Sequence, residues 1–515
     1  IWIVNVGDLK PMEFPIEFFL DMARRPQRWT SDRLGEFGRL WAAREFGPEH
    51  ADEIADLIAA YTKFNGRRKP ELLSPDTYSL VDYREADTVV RQFNALDDRA
   101  RRLDRELPPQ YRDAFYELVL YPVAACANLN DLYVTVGKNR LYAAQGRVSA
   151  NALARRARML FGRDAELSRR YNRLDCGKWD HMMDQTHIGY TGWQEPPRNI
   201  MPAVAEVTPR AAAALGVAVE GSAGSWPPPK VGQSEEAPSL PELNAFDRKS
   251  RYIDVFNRGK DPCSFTAAAE TPWLTVTPDH GELGPDARLS VGVIWDQAPV
   301  GRARSSVEIV GSDGTRVTVA VSVFNPAEPR RSSVRGFVET DGYVSIEAAH
   351  YSRAVASGGI GWRTIPDYGR TLSGVTSFPV TAPSASTETS FKPDAPRLEY
   401  RMYLFSTGTV KVELYASPTL AFVPGRGVRC AVSFDDAPPE VVDLQANRSY
   451  RAWAKAVSDS IRILTVPERI DRPGPHVLKI WRVDPAFVLE KIVVDAGGVR
   501  PSYLGPPESF RGPAR

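Results

Sequence analysis

The chain has 515 residues, of which 43% are hydrophobic and 25% are charged, and its formal net charge is +1. These values are typical of an ordinary globular protein with three or four domains, since single cores stop growing at roughly 250–300 residues. The balanced charge argues against a nucleic-acid-binding protein and against a general attraction to acidic lipid, so we expect neither nucleic acid nor membrane as a partner.

The first predicted element is a strand at residues 1–6, IWIVNV, an apolar and β-branched run that suits burial on both faces. A buried strand needs neighbours for its backbone hydrogen bonds, so we expect it to belong to a sheet encoded upstream. Pro15 suits the first turn of a following helix. Residues 1–27 therefore predict one β/α unit of a sheet or barrel.

Polar side chains follow this strand, where α/β folds present their functional groups: Asn5, Asp8, Lys10 and Glu13. For Asn5 and Asp8, a role in a site and a role in a turn or helix cap agree equally well with the sequence. For Lys10 and Glu13 we favour a purely structural role.

Residues 28–199 predict a helical bundle. The segments TSDRLGEFGRLWAAREFG and EHADEIADLIAAYTKF carry apolar residues at helical spacing, the first after Thr, Ser and Asp residues typical of helix caps. Longer amphipathic helices are predicted at about 84–105, 108–136, 138–161 and 163–174. Successive amphipathic helices with short polar joints are typical of a bundle.

The densest polar and aromatic cluster is CGKWDHMMDQTHIGYTGWQEPPRN, residues 176–199. A metal site of His181, Asp184 and His187 is disfavoured, because two residues six positions apart do not share one face of a helix. A substrate-facing or interdomain loop, suited to a sugar or to a packed partner domain, remains open. We favour a structural role in which these side chains cap the bundle and satisfy buried backbone groups. The other residues of interest here are Trp179, Asp180, Tyr190 and Trp193.

The remainder of the chain predicts two β domains. Residues 200–242 are rich in Gly, Pro, Ser and Ala and predict a linker. Residues 243–328 alternate in hydrophobicity, with the hairpin signal GSDG, and predict an immunoglobulin-like sandwich. Residues 329–505 predict a jelly roll, the build common in carbohydrate-binding modules, and residues 506–515 a frayed tail.

One predicted loop in the last β domain, GGIGWRTIPDYGRT at 358–371, is a candidate binding segment. A flexible Gly-rich segment with aromatic and arginine side chains is typical of a carbohydrate contact or of a domain interface. His350 lies nearby in EAAHYS and is expected to be a packed residue at a strand edge. The candidate side chains of the loop are Trp362, Arg363, Tyr368 and Arg370.

Common catalytic motifs are missing from the sequence. It contains no GxSxG, no P-loop, no GxGxxG after a strand and no HExxH, and its four cysteines lie far apart. The cysteine spacing excludes zinc fingers and disulfide-rich scaffolds. We predict neither a metal nor a cofactor, and the residues alone do not name a reaction.

Three segments resemble stretches of glycoside hydrolase family 115, in that family's order: WIVNVGDLKPMEFPIEFFLDMA, GKWDHMMDQTHIGYTGWQEPPRN and YVSIEAAHYSRAVASGGIGWRTIPDYGRTLSGV. The resemblance implies an α-glucuronidase that removes glucuronic acid or its 4-O-methyl form from xylan, with inversion at the anomeric carbon. It also implies a (β/α)8 barrel followed by a helical bundle and β domains, with residues 1–6 as the barrel's last strand.

What the resemblance implies for individual residues is modest. The catalytic acid and base of the family match no position here and are expected upstream of residue 1, so the chain alone is expected to be inactive. Arg363 or Arg370 would pair with the uronate carboxylate. The substrate-binding candidates are Asn5, Asp8, Trp362, Tyr368 and Arg370, with His181, Asp184, His187 and Tyr190 as secondary candidates.

The expected partners are glucuronoxylan or aldouronic acids and a second copy of the chain, in the periplasm or outside the cell. The alternative to a hydrolase is a non-catalytic carbohydrate-binding or dimerisation module. The jelly-roll pattern and the aromatic segment at 358–371 favour that alternative.

Overall fold

The computed structural model describes residues 2–7, 9–192, 196–229, 236–385, 391–422 and 427–513. The chain forms two compact units. The first comprises residues 1–80, 85–139 and 152–204, and the second comprises residues 81–84, 140–151 and 205–515. Among the described residues, no helix is both long enough and apolar enough to cross a bilayer.

The first unit is helical, and its core lies where the apolar faces of the helices meet. Trp41, Ile54 and Phe115 are buried in one cluster of side chains drawn from successive helices. The helices are α1 (Glu13–Arg24), α2 (Leu34–Phe46), α3 (Ala51–Asn65), α4 (Glu85–Glu106), α5 (Pro109–Phe115), α6 (Tyr121–Ala144), α7 (Ser149–Asn172) and the short α8 (Leu174–Gly177). The ends of α6 and α7 at 140–151 belong to the second unit.

The predicted joint between residues 136 and 138 is wrong, because α6 runs through it to Ala144. Gly137 lies inside the helix at a tight contact, where an added Cβ would stand 2.6 Å from the carbonyl oxygen of Pro75. The chain breaks instead at Gly146, whose φ of +73° is a conformation that favours glycine. The glycine in the helix therefore allows close packing and does not end the element.

The predicted strand at residues 1–6 is also wrong in the part that the structure describes. Residues 2–6 take no regular structure, and the side chains of Trp2 and Ile3 are 62% and 85% exposed. No described strand pairs with this segment, so its backbone has no ladder to join. The helix predicted after it forms as α1, none of whose residues is buried.

In the second unit, residues 215–325 form a sandwich of two sheets. One sheet has the strand order β1-β3-β7-β5 and the other β2-β9-β8-β4-β6, and their facing apolar side chains form one core. The strands are β1 (Leu215–Val219), β2 (Leu243–Asn244), β3 (Arg251–Asn257), β4 (Cys263–Ala269), β5 (Leu274–Thr277), β6 (His280–Leu283), β7 (Asp286–Val293), β8 (Gly301–Gly311) and β9 (Arg316–Asn325).

The hairpin predicted from GSDG is confirmed, since β8 and β9 pair antiparallel across it. The stretch predicted as a linker, in contrast, contains β1, whose five residues are all buried and which pairs with β3. Its short LGVAV run is hidden among Gly, Pro and Ser residues, so composition over a longer window masked a buried strand.

Residues 337–495 form a second pair of sheets. One sheet has the order β10-β15-β20-β17-β18 with β12 added beside β15, and the other has the order β13-β14-β21-β16-β19 with β11 added beside β21. Their apolar faces share one core. The strands are β10 (Phe337–Val338), β11 (Tyr343–Glu347), β12 (Arg353–Val355), β13 (Gly361–Pro366), β14 (Ser373–Phe378), β15 (Arg397–Leu404), β16 (Gly408–Ala416), β17 (Arg429–Phe434), β18 (Glu440–Asp443), β19 (Arg462–Ile470), β20 (Gly474–Arg482) and β21 (Val488–Asp495).

Three features of this part differ from the sequence-based expectation. The predicted loop at 358–371 contains an edge strand, β13, and the sequence analysis missed a helix, α9 (Tyr450–Asp459). The predicted frayed tail is ordered at least through residue 513: the Ser509 amide donates to the carbonyl of Ser345 at 2.9 Å. Backbone pairing, which the polar sequence of the tail does not signal, holds it in place.

We expect Gly259→Ala to destabilise the second unit strongly. A Cβ at Gly259 would stand 1.9 Å from the carbonyl oxygen of Ala212, so the backbone would have to move, at a cost of about 3 kcal/mol in the free energy of unfolding. Urea denaturation measures this cost. The matched control is Gly281→Ala, whose Cβ would meet Phe265 at an ordinary 3.5 Å. Equal midpoints for the two variants would contradict the steric explanation.

Candidate functional site

The two polar segments singled out near residues 5–13 and 176–199 meet at one cleft in the first unit. The cleft has a volume of about 390 Å³ and mixes apolar side chains, such as Met182 and Met183, with hydrogen-bonding groups. Its polar lining residues are Lys10, Glu71, Tyr121, Gln185, Thr186, His187 and Tyr190. The fold thus brings together residues that the sequence places more than 160 positions apart.

Lys10 is the charged centre of this region. Its ammonium group forms ion pairs with Glu13 on α1 and with Glu117, and it lies 4.0 Å from the ring centroid of Trp179. Burial lowers the pKa of Lys10, but the hydrogen bonds and charges of Glu117 and Glu13 raise it by more, so the net pKa lies above the ordinary value. Lys10 therefore stays charged.

Glu117 is held in place by an irregular turn of helix. It lies on a π-helical turn, Tyr116–Leu120, between α5 and α6, and it accepts a hydrogen bond of 3.3 Å from the hydroxyl of Tyr171. Burial, together with the nearby charge of Glu13, raises the pKa of Glu117 above its ordinary value although the hydrogen bond and charge of Lys10 lower it. Turns of this kind occur often at functional sites.

His187 is fixed on both of its ring nitrogens. Nε2 lies 2.8 Å from Oδ1 of the buried Asp164 on α7, and Nδ1 lies 3.0 Å from the carbonyl oxygen of Gln185. Both neighbours are acceptors, so the protonated ring can donate to each. Burial lowers the pKa of His187, but the hydrogen bond and charge of Asp164 raise it by more, and the net pKa lies above the ordinary value.

His181 belongs to a separate and exposed network. Its Nδ1 lies 2.6 Å from Oδ2 of Asp184, and Oδ1 of the same carboxylate accepts a hydrogen bond of 2.7 Å from Nδ2 of Asn172. The hydrogen bond to Asp184 raises the pKa of His181. The structure therefore does not bring His181, Asp184 and His187 together as one set of metal ligands. Across the described residues, no group of three or more His, Cys, Asp or Glu side chains is placed to hold a metal.

The remaining candidates of the first unit have mainly local partners. Oδ1 of the exposed Asn5 accepts a hydrogen bond of 2.9 Å from the Gly7 amide, which is the turn role weighed above. Tyr190 lines the cleft, and its hydroxyl donates to the carbonyl of Thr186 at 3.4 Å. Asp8 and Trp193 lie outside the described residues.

The candidates of the last β domain are anchored inside the second unit. The Tyr368 hydroxyl lies 2.5 Å from Oγ of Ser417, and the Trp362 indole donates to the carbonyl of Val355 at 3.2 Å. Arg363 is exposed and stacks 3.7 Å from the ring of Phe378. The expectation that these residues form one flexible binding loop is therefore not met, since β13 fixes part of the segment.

Arg370 does not face solvent, contrary to expectation. Its side chain and backbone together are 4% exposed, and its guanidinium donates to the carbonyl oxygens of Asp459 and Tyr503. The same guanidinium stacks 3.8 Å from the ring of Tyr503. Its role in this structure is to hold α9 and the segment at residue 503 together. His350, in contrast, pairs with Glu508 at 2.8 Å and is half-buried, but it lies on a 3-10 turn, Ala348–His350, and not on the predicted strand.

Sequence reasoning missed the two carboxylates that fix the cleft, Glu117 and Asp164. Glu117 had a usable signal: it is the one charged residue in the apolar run AFYELVLYP, and a buried charge needs a partner. Asp164 had none, because it follows Arg163 in a charged helix and looks like an ordinary surface residue.

We expect Lys10→Met to lower the free energy of unfolding by about 3 kcal/mol, because two carboxylates, one of them buried, would lose their shared counter-charge. Denaturant titration followed by tryptophan fluorescence measures the loss. The matched control is Lys178→Met, which removes an exposed lysine that also lies over Trp179, at 4.8 Å. Its expected effect is below about 0.5 kcal/mol. If Lys178→Met lowered the free energy of unfolding as much as Lys10→Met, contact with the Trp179 ring, and not the paired charge, would explain the loss of stability.

We expect His187 to make stability depend on pH. Because its pKa is raised on folding, its contribution is complete below the unfolded pKa of about 6.5 and is lost as pH rises through the folded value. The free energy of unfolding should therefore fall as pH rises above about 6.5, and His187→Gln should reduce that slope.

The control for His187 is His181→Gln, which removes an exposed pair. The contribution of His181 to the pH dependence of the unfolding free energy should vanish at about 1 M salt. The contribution of His187 should persist, because its partner Asp164 is buried. A slope in wild type that disappears completely at high salt would contradict the assignment to His187.

Two models of one protein family match the two ends of the chain. Residues 1–72 match the model of Glycosyl hydrolase family 115, and residues 336–508 match the Glycosyl hydrolase family 115 C-terminal domain. No curated protein matches the sequence with statistical significance.

Among solved structures, a family 115 4-O-methyl-α-glucuronidase with specificity for decorated arabinogalactans superposes with a TM-score of 0.53 at 16% identity. The match covers 96% of this chain but 45% of that chain. Two further matches are a Podospora anserina β-(1,4)-mannanase with a family 35 carbohydrate-binding module, and the C-terminal family 6 module of a laminarinase from Zobellia galactanivorans. Their TM-scores are 0.21 and 0.20 at 14% and 11% identity, over 31% and 30% of this chain and 29% and 98% of theirs. With two models of one family matched in order and a solved member sharing its fold, the chain belongs to glycosyl hydrolase family 115.

Proposed function

We propose that this chain is part of an inverting α-glucuronidase that removes glucuronic acid or 4-O-methylglucuronic acid from glucuronoxylan. The observation that carries the proposal is the cleft of the first unit, where two segments resembling the family converge on Lys10 and Trp179. Its apolar and hydrogen-bonding lining suits a pyranose, which has apolar C–H faces and hydroxyl edges.

The catalytic carboxyl groups are proposed to lie outside the described residues of this chain. Inverting hydrolysis needs an acid and a base roughly 6.5–9.5 Å apart. Of the described residues that line the cleft, Glu71 is the single carboxylic acid. The cleft is therefore proposed to bind or shape part of the substrate site, with the chemistry supplied by other parts of the whole protein.

Residues 1–27 are proposed to complete a (β/α)8 barrel in that protein. In support, Trp2, Ile3 and Val4 are apolar but exposed, and Leu20 on α1 is 59% exposed, so the segment presents apolar surface that a barrel would cover. We propose in addition that residues 243–328 and 329–505 are its immunoglobulin-like and jelly-roll domains. The whole protein is further proposed to be a homodimer that acts in the periplasm or outside the cell, where xylan is accessible.

The test is release of uronic acid from glucuronoxylan, aldouronic acids and decorated arabinogalactan, the last because a structural relative is described as acting on it. The chain of 515 residues alone should release none, and the whole protein should release the β-anomer first, as seen by proton NMR. Robust turnover by the chain alone would contradict the placement of the acid and base. Failure of the whole protein on all three substrates would contradict the activity.

A further inference from the structure

Helix α9 carries an aromatic pair on the solvent side of the last β domain. Tyr450 and Trp453 are 76% and 44% exposed, whereas Ala456, near the C-terminal end of the helix, is buried. Large aromatic side chains grouped in solvent mark surfaces that bind something, because leaving them wet is unfavourable. Neither residue belongs to the cleft of the first unit.

The two rings are arranged to present a surface. Their centroids lie 5.7 Å apart and their planes are tilted by 33°, and the two residues are about one helical turn apart. Tyr and Trp lose little conformational entropy when a ligand contacts them, since each has two side-chain torsions. A pair of this kind can contact the C–H faces of successive sugar rings.

Positive charge flanks the aromatic pair. Arg448 precedes the helix and Arg451 lies on its first turn, and both are exposed. Among the described residues, neither guanidinium has a carboxylate within 4.0 Å. The nearby Lys455 pairs with Asp459 at 2.6 Å. Arginine is the side chain best suited to hold a carboxylate through two parallel hydrogen bonds.

Both ends of α9 are fixed, so the surface is preformed. Ser449 caps the N-terminus by accepting the Ala452 amide at 3.3 Å. At the C-terminus, the Asp459 carbonyl accepts hydrogen bonds from the buried guanidinium of Arg370 and from the hydroxyl of Tyr503. Arg370, expected from sequence to touch substrate, instead positions the helix that carries this surface.

We propose that the exposed N-terminal end of α9, with Arg448, Tyr450, Arg451 and Trp453, is a face of the domain that binds a uronate-bearing xylan chain. The aromatic rings contact the xylose backbone, and the arginines contact the uronate carboxylates. The identity of the polymer rests on the proposed function. The site is a binding surface and supplies no catalytic group.

Affinity electrophoresis of the 515-residue chain tests the proposal. Gels containing glucuronoxylan should retard the protein, and the double variant Tyr450→Ala/Trp453→Ala should bind roughly tenfold more weakly. Arg451→Gln should lose the preference for glucuronoxylan over the same polymer with its carboxyl groups reduced. The matched control is Val300→Ala, which shortens an apolar side chain that is 72% exposed and lies in the other sandwich.

The outcomes separate this proposal from the catalytic one, because the readout is binding and not hydrolysis. Retardation unchanged in the aromatic double variant, with its circular dichroism intact, would overturn the α9 proposal and leave the activity untouched. The α9 proposal would also be overturned if neither glucuronoxylan nor its carboxyl-reduced form retarded the wild-type protein. Binding of the wild type to anionic vesicles in place of xylan would overturn it too. If the wild type is a dimer and the double variant is a monomer with unchanged xylan binding, the xylan proposal is overturned and the face is assigned to contact with a second copy of the chain.

Discussion

The pairing of the half-buried Lys10 ammonium with two carboxylates is the interaction on which the arrangement of the first unit depends. It neutralises one carboxylate on α1 and one on the π-helical turn, and it lies over the ring of Trp179. Because burial of unpaired charge is unfavourable by several kcal/mol, separating these parts would leave the buried carboxylate of Glu117 without its counter-charge. One cation thus determines where an N-terminal segment without regular structure meets the helices, and it thereby shapes the neighbouring cleft.

The regular elements were predictable because their signals are local. The β8–β9 hairpin follows from alternating side chains around GSDG, and α3 follows from apolar residues at helical spacing. The strand β1 and the helix α9 were missed for the opposite reason. The strand β1 has five apolar residues within a Gly- and Pro-rich stretch. In α9, small and charged side chains separate the two aromatic residues. Both sequences look like loops when they are considered without the residues that pack against them.

The candidate site was predictable in position but not in its contacts. The polar and aromatic composition of residues 176–199 indicated the segment that lines the cleft, yet the partner of His187 is Asp164, 23 positions away on another helix. No spacing rule links such pairs. The same limit explains Arg370, whose type suggested a uronate contact, whereas backbone carbonyls of distant residues take up its guanidinium.

The ordered C-terminal segment has a consequence for how the last domain is made. The Ser345 amide donates to the hydroxyl of Ser509, 164 positions later, and the amide of Gly512 donates to the carbonyl of Gly336. Such distant pairing slows folding, since the chain entropy of a long loop must be lost before the contacts form. During synthesis on the ribosome, β10 and β11 must therefore wait, partly uncovered, until nearly 170 further residues have been translated, and chaperones have that interval in which to act.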